Sequence, residues 1–198
     1  MYSPRAPLIH INAFPGTGKL TVAQHLLAQA PPSTSIKLVH NHLLINPADA
    51  VLHRTQPGYQ ALRHALRSAV FTSLATEPAT YETTYVFTDF QTTNEQGTSV
   101  CLEYVQAAKD RCCQLISIVL ICDEEENVRR VVHSGRKMHA AGKLRDVELL
   151  RMFRRGAPVF TFSNALEIDV TKLEPEDVAR IIWEHIGKVC PGWTGLID

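Results

Sequence analysis

The sequence predicts an α/β domain in which helices cover both faces of a parallel β-sheet. Short continuous runs of Ile, Val and Leu, typical of strands buried on both faces, alternate with segments whose apolar residues recur at the helical period. This alternation is typical of βαβ units, whose ligands bind beyond the carboxyl ends of the strands. With 198 residues, 45% of them hydrophobic and 20% charged, we expect one globular domain over residues 1–198.

Five segments have the composition of buried strands. They are residues 8–12, 36–40, 85–88, 115–122 and 166–170. Apolar stripes at helical spacing separate them. The stripes are Val22 to Ala30, Leu62 with Leu66, Ala69 and Val70, Val100 to Ala108, and Val178 to Ile186.

Three signals mark helix starts. Pro57 suits the first turn of the helix that contains Leu62. Asp123 and Glu126 have the spacing of a capping box, which would begin another helix there. Pro175, with acidic residues around it, marks the first turn of the last helix.

Charge and cysteine content exclude several classes of protein. Twenty basic and twenty acidic residues give no net charge, so we expect no electrostatic attraction of the whole chain to nucleic acid or to an anionic membrane. The five cysteines form no C-x-x-C pair, which argues against a disulfide framework and a zinc site. The longest apolar run, 115–122, is far shorter than the ~20 residues of a membrane span. With no recognisable signal peptide, a cytoplasmic protein is expected.

The most informative segment is residues 11–21, which read I-N-A-F-P-G-T-G-K-L-T between the first strand and the first helix. Gly16 and Gly18 would let backbone N–H groups turn inward around a phosphate, and the helix N-terminus would add its dipole. Lys19 can reach phosphate oxygens, and Thr21 offers a hydroxyl to Mg²⁺ or its water. Relative to G-x-x-x-x-G-K-[ST], Ala13 replaces the first Gly and Leu20 occupies the Ser/Thr position.

The P-G-x-G-K-x-T run resembles the P-loop of adenylate-kinase-like kinases, including nucleoside monophosphate kinases and chloramphenicol-phosphotransferase-like enzymes. Residues 120–130 resemble the fourth strand and Arg-bearing helix of these kinases, and residues 166–171 their last strand and adenine-side loop. The resemblance implies a three-layer α/β/α P-loop NTPase fold whose five-stranded parallel sheet has the order 2-3-1-4-5, with a small Arg-rich lid. It also implies ATP and Mg²⁺. The implied nucleotide-binding residues are Phe14, Pro15, Gly16, Thr17, Gly18, Lys19, Leu20, Thr21 and Thr171.

A basic stretch follows the predicted fourth strand, with nine basic and two acidic residues between Arg129 and Arg155. One interpretation is a lid at about 134–146 whose arginines close over the phosphates. Phosphoryl transfer spreads negative charge over three oxygens, so positioned guanidinium groups favour it. Arg130 and Arg136 are then the predicted catalytic residues, together with Lys19. The alternative interpretation is a solvated helix face.

Asp89 ends the third predicted strand. A carboxylate there can hold Mg²⁺ through water or accept the proton of a substrate hydroxyl. Alternatively it caps the turn through Thr92 or Thr93. The following Phe90-Gln91-Thr92 lacks the Gly, Pro and Arg that nucleoside monophosphate kinases have here, which argues against a monophosphate acceptor.

The acceptor is expected to bind between the second strand and the helical region at about 41–78. Asn41 could hydrogen-bond an acceptor, and His42 could act as a weak base; a helix cap with a surface histidine is the alternative. Arg54, Arg63 and Arg67 suggest an anionic acceptor or, equally, a solvated helix face.

These observations together predict an ATP-binding protein that acts as a kinase on a small molecule. The alternatives are a non-catalytic nucleotide-binding sensor or scaffold and, less favoured, a polynucleotide-end kinase that uses the basic stretch. The sequence identifies neither the acceptor nor the oligomeric state.

Overall fold

Five parallel strands form the central sheet. A computed structural model describes residues 5–133 and 146–191. The strands are β1 (Leu8–Asn12), β2 (Ser35–His40), β3 (Thr83–Asp89), β4 (Leu115–Ile121) and β5 (Leu166–Asp169). Their order in the sheet is β2-β3-β1-β4-β5, which confirms the predicted topology.

Seven helices accompany the strands in the described ranges. They are α1 (Lys19–Ala28), α2 (His42–Val51), α3 (Tyr59–Thr76), α4 (Glu95–Asp110), α5 (Glu124–His133), α6 (Val147–Gly156) and α7 (Pro175–Val189), with a short 3-10 turn at Pro78–Thr80. The predicted lid lies almost entirely outside the described residues, and so does Arg136. None of the described helices is long and apolar enough to cross a membrane.

The two faces of the sheet have separate apolar cores. Ile9 and Ile11 of β1 pack with residues of α1 and α7 on one face. Leu8, on the alternate side of the same strand, belongs to the cluster formed with α3 and α4 on the other face. This alternation follows from the two-residue period of a strand, and it produces the predicted three layers.

The predicted core face of α3 was right only in part. Leu62, Leu66 and Val70 are half-buried and Ala69 is exposed, whereas the buried residues of the helix are Tyr59, Arg67, Phe71 and Leu74. Arg67 turns inward and forms a bidentate ion pair with Glu103 of α4, at 2.6 and 2.7 Å.

Of two other predicted helix starts, the one at Pro57 was wrong, whereas α5 begins directly after Asp123 as predicted but without the predicted capping box. The helix after Pro57 begins at Tyr59, with Gly58 in a left-handed conformation before it, so Pro57 lies outside the first turn. The carboxylate of Glu126 binds two arginines instead of closing a capping box. The backbone N–H of Asp123 donates to the Thr171 hydroxyl at 3.0 Å.

The carboxyl ends of the strands bring the predicted site residues to one edge of the sheet. Asn12, the last residue of β1, is the register partner of Asp89, the last residue of β3. The side chain of Asn12 also fixes the chain beyond β3, because its amide donates to Gln91 O and accepts from Gln91 N. The P-loop therefore begins beside Asp89.

Candidate nucleotide and acceptor site

One cavity of about 890 Å³ lies at this edge of the sheet. The side expected to bind the nucleotide, called the nucleotide side, is formed by residues 15–22, Gln24, Glu126, Arg129, Arg130, residues 170–175 and Val178. The side expected to bind the acceptor, called the acceptor side, is formed by residues 40–42, Ile45, Arg54, residues 88–90, Leu149 and Phe153. The structure thus brings Lys19, Thr21, Asn41, His42, Asp89, Arg130 and Thr171 together.

The P-loop has the backbone that its two glycines allow. Gly16 and Gly18 have φ angles of 83° and 108°, in the left-handed region that favours glycine. Gly16 also lies against α5, since a Cβ there would fall 2.3 Å from Val131 Cγ2. Gly18 is the N-cap of α1, so the first N–H groups of that helix face the cavity.

Lys19 lies folded over the loop. Its Nζ donates to Ala13 O at 2.8 Å and to Phe14 O at 2.9 Å, which holds the ammonium group above the turn. The buried Thr17 also donates to Phe14 O, at 2.9 Å. Thr21 is exposed in the cavity and remains the candidate hydroxyl for Mg²⁺.

Phe14 is the predicted nucleotide-binding residue that does not line this cavity. Its ring packs against Phe90, with centroids 5.6 Å apart, and lies 5.0 Å from the Arg154 guanidinium carbon. It lines a smaller cavity of about 420 Å³ behind the loop. Its carbonyl oxygen, which accepts from Lys19 and Thr17, is the part that faces the loop.

Helix α5 fixes the P-loop through polar side chains. The fully buried Asn127 donates from Nδ2 to Pro15 O at 3.0 Å. Its Oδ1 accepts from Arg154 at 3.2 Å, and Arg154 also donates to Cys122 O at 3.0 Å. The loop is therefore attached by side chains to α6 and to the end of β4.

Arg130 joins the phosphate loop to the loop after β5. Nη1 donates to Thr17 O at 3.0 Å, and Nη2 donates to Val170 O at 2.7 Å and Thr171 O at 3.3 Å. Nε donates to Glu126 at 2.7 Å. Its predicted role over the phosphates stays a prediction, since the guanidinium group here binds backbone carbonyl oxygens on both sides of the nucleotide half.

Glu126 supports this arrangement electrostatically. Hydrogen bonds from Arg129 and Arg130 lower the pKa of its carboxyl group to about 2. The carboxylate therefore stays ionised well below neutral pH, and its hydrogen bond orients the guanidinium group of Arg130.

Much of the basic stretch is paired within the chain. Arg129 and Arg130 bind Glu126, and Arg151 binds Glu148 at 2.8 Å and Glu124 at 3.5 Å. The acidic residues 124–126 lie just before the stretch and are not counted in it. The excess positive charge of this region in the folded protein is therefore smaller than the count from Arg129 to Arg155 indicates. Arg130 lines the cavity, and Arg151 lies on a partly exposed helix face. The interpretation of the stretch as a lid over the phosphates stays a prediction.

The loop after β5 lines the cavity, and its predicted contact with the adenine base stays a prediction. Thr171 lines the cavity, but its hydroxyl accepts from Asp123 N and donates to Asp169. Lys172, Leu173 and Glu174 follow it along the wall. The Thr171 hydroxyl is thus used to shape the loop.

Asp89 is the centre of the acceptor side. It is 2% exposed, and its Oδ1 accepts from Asn41 Nδ2 and from Phe90 N, each at 2.8 Å. Its Oδ2 accepts from the Tyr104 hydroxyl at 3.3 Å. The expected turn cap through Thr92 or Thr93 is not found, because these three donors orient the carboxylate.

Asn41 is engaged at both ends of its amide. Nδ2 donates to Asp89, and Oδ1 accepts from Arg63 Nη2 at 3.1 Å. It lies at the N-cap position of α2 but makes no side-chain capping bond. Its side chain thus positions Asp89 and lines the cavity at the same time.

Two histidines complete the floor of the acceptor side. His40, the last residue of β2, and His42, the first of α2, both line the cavity, with ring centroids 6.3 Å apart. His42 therefore lies where a weak base was predicted.

A third histidine lies beneath Asp89. His10 is fully buried in β1, its ring centroid lies 4.3 Å from that of Tyr104, and neither ring nitrogen has a hydrogen-bond partner within residues 5–133 and 146–191. Burial lowers the pKa of His10 to about 4. The ring therefore stays neutral at pH 7 and serves to pack the core.

Solved structures of known proteins share this architecture. Gluconokinase from Sinorhizobium meliloti matches with a TM-score of 0.57 and 13% identity, over 95% of this chain and 94% of that one. APS kinase from Mycobacterium tuberculosis, solved with AMPPNP and APS, matches with a TM-score of 0.59 and 14% identity, over 92% and 98%. Shikimate kinase from Acinetobacter baumannii matches with a TM-score of 0.52 and 17% identity, over 94% and 96%.

The chain has the fold of the P-loop small-molecule kinases. No protein-family model matches the sequence, and no curated protein matches it significantly. The P-loop kinase fold was therefore recognisable from the loop and the strand pattern.

Sequence reasoning missed several residues that shape the site. Asn127, Arg130 and Val131 lie at i, i+3 and i+4 on α5, so their shared face was visible in the sequence. The sequence pattern was used to assign a role to the arginine on this face, and the other two residues were overlooked. Tyr104 and Phe153 had no comparable signal, because each meets the site from a distant helix.

Proposed function

We propose that this protein is an ATP-dependent kinase that transfers the γ-phosphoryl group to a hydroxyl of a small molecule. One observation carries the proposal: the P-loop and an oriented, buried carboxylate, Asp89, line the same cavity. A loop that holds phosphates and a group that can accept a hydroxyl proton are the two requirements of this transfer.

The nucleotide half would bind the triphosphate through backbone N–H groups and Lys19. The N-terminus of α1 points its dipole at the phosphates, and the ammonium group of Lys19 can follow the charge as it moves to the leaving oxygen. Arg130 connects Thr17 with Thr171 by hydrogen bonds, so that contacts to the phosphates and contacts to the adenine base would form together.

The acceptor half would supply the base. Asp89 would take the proton from the acceptor hydroxyl as its oxygen bonds to the γ-phosphorus and the bond from that phosphorus to the β–γ bridging oxygen breaks, releasing ADP. Asn41 and Tyr104 hold the carboxylate in place. His42 is the second candidate base, because it lines the same half.

The residues present fit a magnesium ion held largely by phosphate and water. Mg²⁺ binds proteins through one or two carboxylates and keeps several waters, so Asp89 and the Thr21 hydroxyl suffice as protein donors. No group of three or more metal-binding side chains occurs within residues 5–133 and 146–191. The ion would neutralise charge on the transferring group.

The proposal is tested by replacing the base. Asp89→Asn should lower acceptor-stimulated ADP release by about 10²–10⁴-fold, the usual contribution of a general base. It should leave the binding of ATP in the absence of metal, measured by thermal shift, within twofold. Asp110→Asn, on the exposed end of α4, is the matched control and should change neither quantity.

A screen of hydroxylated small molecules separates the kinase from a nucleotide-binding sensor. A sensor would bind Mg-ATP tightly, yet no acceptor would stimulate ADP release. Steeply salt-dependent binding of an oligonucleotide would instead favour a polynucleotide-end kinase.

A further inference from the structure

Two of the three arginines that suggested an anionic acceptor bind carboxylates of the chain itself. Arg54 lines the cavity and donates to both carboxylate oxygens of Asp49, at 2.8 and 3.2 Å. Arg67 is 4% exposed and bound to Glu103, so its interpretation as part of a solvated helix face was wrong. The anionic acceptor stays a prediction.

Arg63 differs from both, because the structure pairs its charge with a neutral amide. Its Nη2 donates to Asn41 Oδ1 at 3.1 Å. Its Nε is buried and has no hydrogen-bond partner within residues 5–133 and 146–191. The carboxylate of Asp49 is close enough to interact electrostatically with Arg63, but it is hydrogen-bonded to Arg54 and Tyr59. The charge of Arg63 is therefore directed at Asn41.

The orientation of the Asn41 amide is set from both sides. A guanidinium group can only donate hydrogen bonds, and a carboxylate can only accept them. Arg63 therefore requires the oxygen of the amide on its side, and the Nδ2 group then points at Asp89 Oδ1, at 2.8 Å. A flipped amide would lose both bonds, and it would place its oxygen against the carboxylate and its NH₂ group against the guanidinium group.

This arrangement also strengthens the bond that holds Asp89. The other two donors to its carboxylate, Phe90 N and the Tyr104 hydroxyl, are uncharged. A charged donor on Asn41 Oδ1 polarises the amide and makes its N–H groups better donors, because hydrogen bonds in a chain reinforce one another. Arg63 is not among the residues that line the cavity, so it acts on Asp89 from behind.

We propose that Arg63 is a positioning residue of the transfer reaction. It fixes the amide of Asn41, and the amide holds the carboxylate of Asp89 in the orientation in which that carboxylate takes the proton of the acceptor. The proposal rests on the proposed kinase function and adds to it a residue that touches neither nucleotide nor acceptor. Loss of Arg63 should therefore lower the rate of transfer and leave the affinity for the nucleotide unchanged.

The side-chain amide of Asn41 reports its own orientation by NMR. The full chain is labelled with nitrogen-15 in its asparagine side chains, and Asn41→Ala identifies the signals. In Arg63→Met the amide protons of Asn41 should exchange with water at least tenfold faster, because the amide is released. Arg63→Lys should stay within threefold of the wild type, since one hydrogen bond needs a cationic donor but no bidentate fork. Arg180→Met, which changes an exposed arginine of α7, is the matched control.

Unchanged exchange in Arg63→Met overturns the proposal, and so does equally fast exchange in Arg63→Lys. Urea unfolding shows whether each variant is folded. If Arg63→Met is not, Arg63→Gln takes its place, because it removes the charge and keeps a polar side chain. None of these measurements needs turnover, so they decide the orientation of the amide even if the protein proves not to be a kinase.

The effect on transfer is measured as ADP release from Mg-ATP, with water as the probe acceptor. Arg63→Met should lower kcat about tenfold, as expected for the loss of a charge-assisted hydrogen bond, and leave the dissociation constant of ATP without metal within twofold. Asn41→Ala combined with Arg63→Met should have the kcat of Asn41→Ala alone, because Arg63 acts through Asn41.

Two kinetic outcomes overturn the proposal while leaving the kinase intact. The first is a double variant in which the two losses of kcat multiply. The second is a weaker affinity for metal-free ATP in Arg63→Met with kcat unchanged. The proposed function itself fails if neither water nor any hydroxyl compound supports ADP release by the wild type.

Discussion

The two halves of the cavity are built in different ways. The nucleotide half rests on one continuous loop, residues 13–18, whose backbone is tied by side chains of α5 to neighbouring loops. The acceptor half is assembled from side chains far apart in sequence, such as Asn41, Asp89 and Tyr104, which bind one another. A backbone site tolerates little change in its loop, whereas a side-chain site can be altered one group at a time.

This difference explains why the nucleotide half could be predicted from the sequence. A P-loop is a contiguous motif, because each of its residues has a local backbone task. The acceptor half depends on which side chains the fold brings together. Kinases of one fold can therefore share the first half and differ in the second.

The largest effect is expected from a change in the P-loop backbone. In Gly16→Ala the new Cβ would fall 2.3 Å from Val131 Cγ2, on a residue with a φ of 83°. We expect a loss of about 2–4 kcal/mol in the free energy of unfolding, from backbone strain and overpacking. Mg-ATP binding should be lost as well.

Gly156→Ala is the control for this substitution, because a Cβ there meets no atom within 4 Å. Its stability should be unchanged or slightly higher, since alanine suits a helix better than glycine. Urea unfolding of both variants checks the prediction. Equal stability of the two would contradict the close packing of α5 on the loop.

The second largest effect is expected from lowering the pH, because the neutral, buried imidazole of His10 lies beneath the acceptor half and not the nucleotide half. Burial lowers the pKa of His10 from 6.5 to about 4, so below pH 6.5 the unfolded chain takes up a proton that the folded chain does not. The protein should therefore lose about 2 kcal/mol of stability between pH 7 and pH 5.

Urea unfolding at both pH values, on the wild type and on His10→Leu, measures this loss. His10→Leu should show a pH dependence smaller by that amount. His53→Leu, which removes an exposed histidine, should keep the wild-type dependence. An unchanged dependence in His10→Leu would mean that His10 is protonated in the folded state.

A third prediction concerns the connection between the P-loop and the loop after β5. Arg130→Gln removes the bonds to Thr17 O, Val170 O and Thr171 O, and should raise the dissociation constant of Mg-ATP about tenfold, equivalent to about 1.4 kcal/mol. Arg129→Gln, its neighbour bound to the same Glu126, should raise it less than threefold. Calorimetric titration of both variants decides, and equal effects would contradict the bridging role.

The smallest effect is expected on the acceptor half. Tyr104→Phe removes the 3.3 Å bond to Asp89 Oδ2 and should lower kcat about two- to fivefold, since Asn41 and Phe90 N still hold the carboxylate. A changed affinity for Mg-ATP would show that the halves are not separate.

The fold was predictable because its signals are local. The five strands are continuous apolar runs. The residues between Asn12 and Lys19 indicate both the class of ligand that the loop would bind and the place of the loop in the sheet. The face of α3 was predictable only in part. Its buried Arg67 satisfies its charge on Glu103, a residue of another helix, and an arginine in a sequence is read as exposed.

The candidate site was predictable only in part, for the same reason. Asp89 and Asn41 were found because both follow strands, where ligands of parallel sheets bind. Their mutual hydrogen bond, and the contributions of Asn127 and Phe153, depend on distances that only the folded chain sets.

The central claim is that Lys19 and its loop bind the phosphates of ATP. The most direct test is thermal unfolding with and without Mg-ATP, in the wild type and in Lys19→Met. At a ligand concentration of 100 times the dissociation constant, the wild type should gain about 2.7 kcal/mol, and Lys19→Met should lose most of that gain. Lys37→Met, an exposed lysine on the edge strand β2, should keep it. No stabilisation of the wild type, or an equal gain in Lys19→Met, would contradict the account.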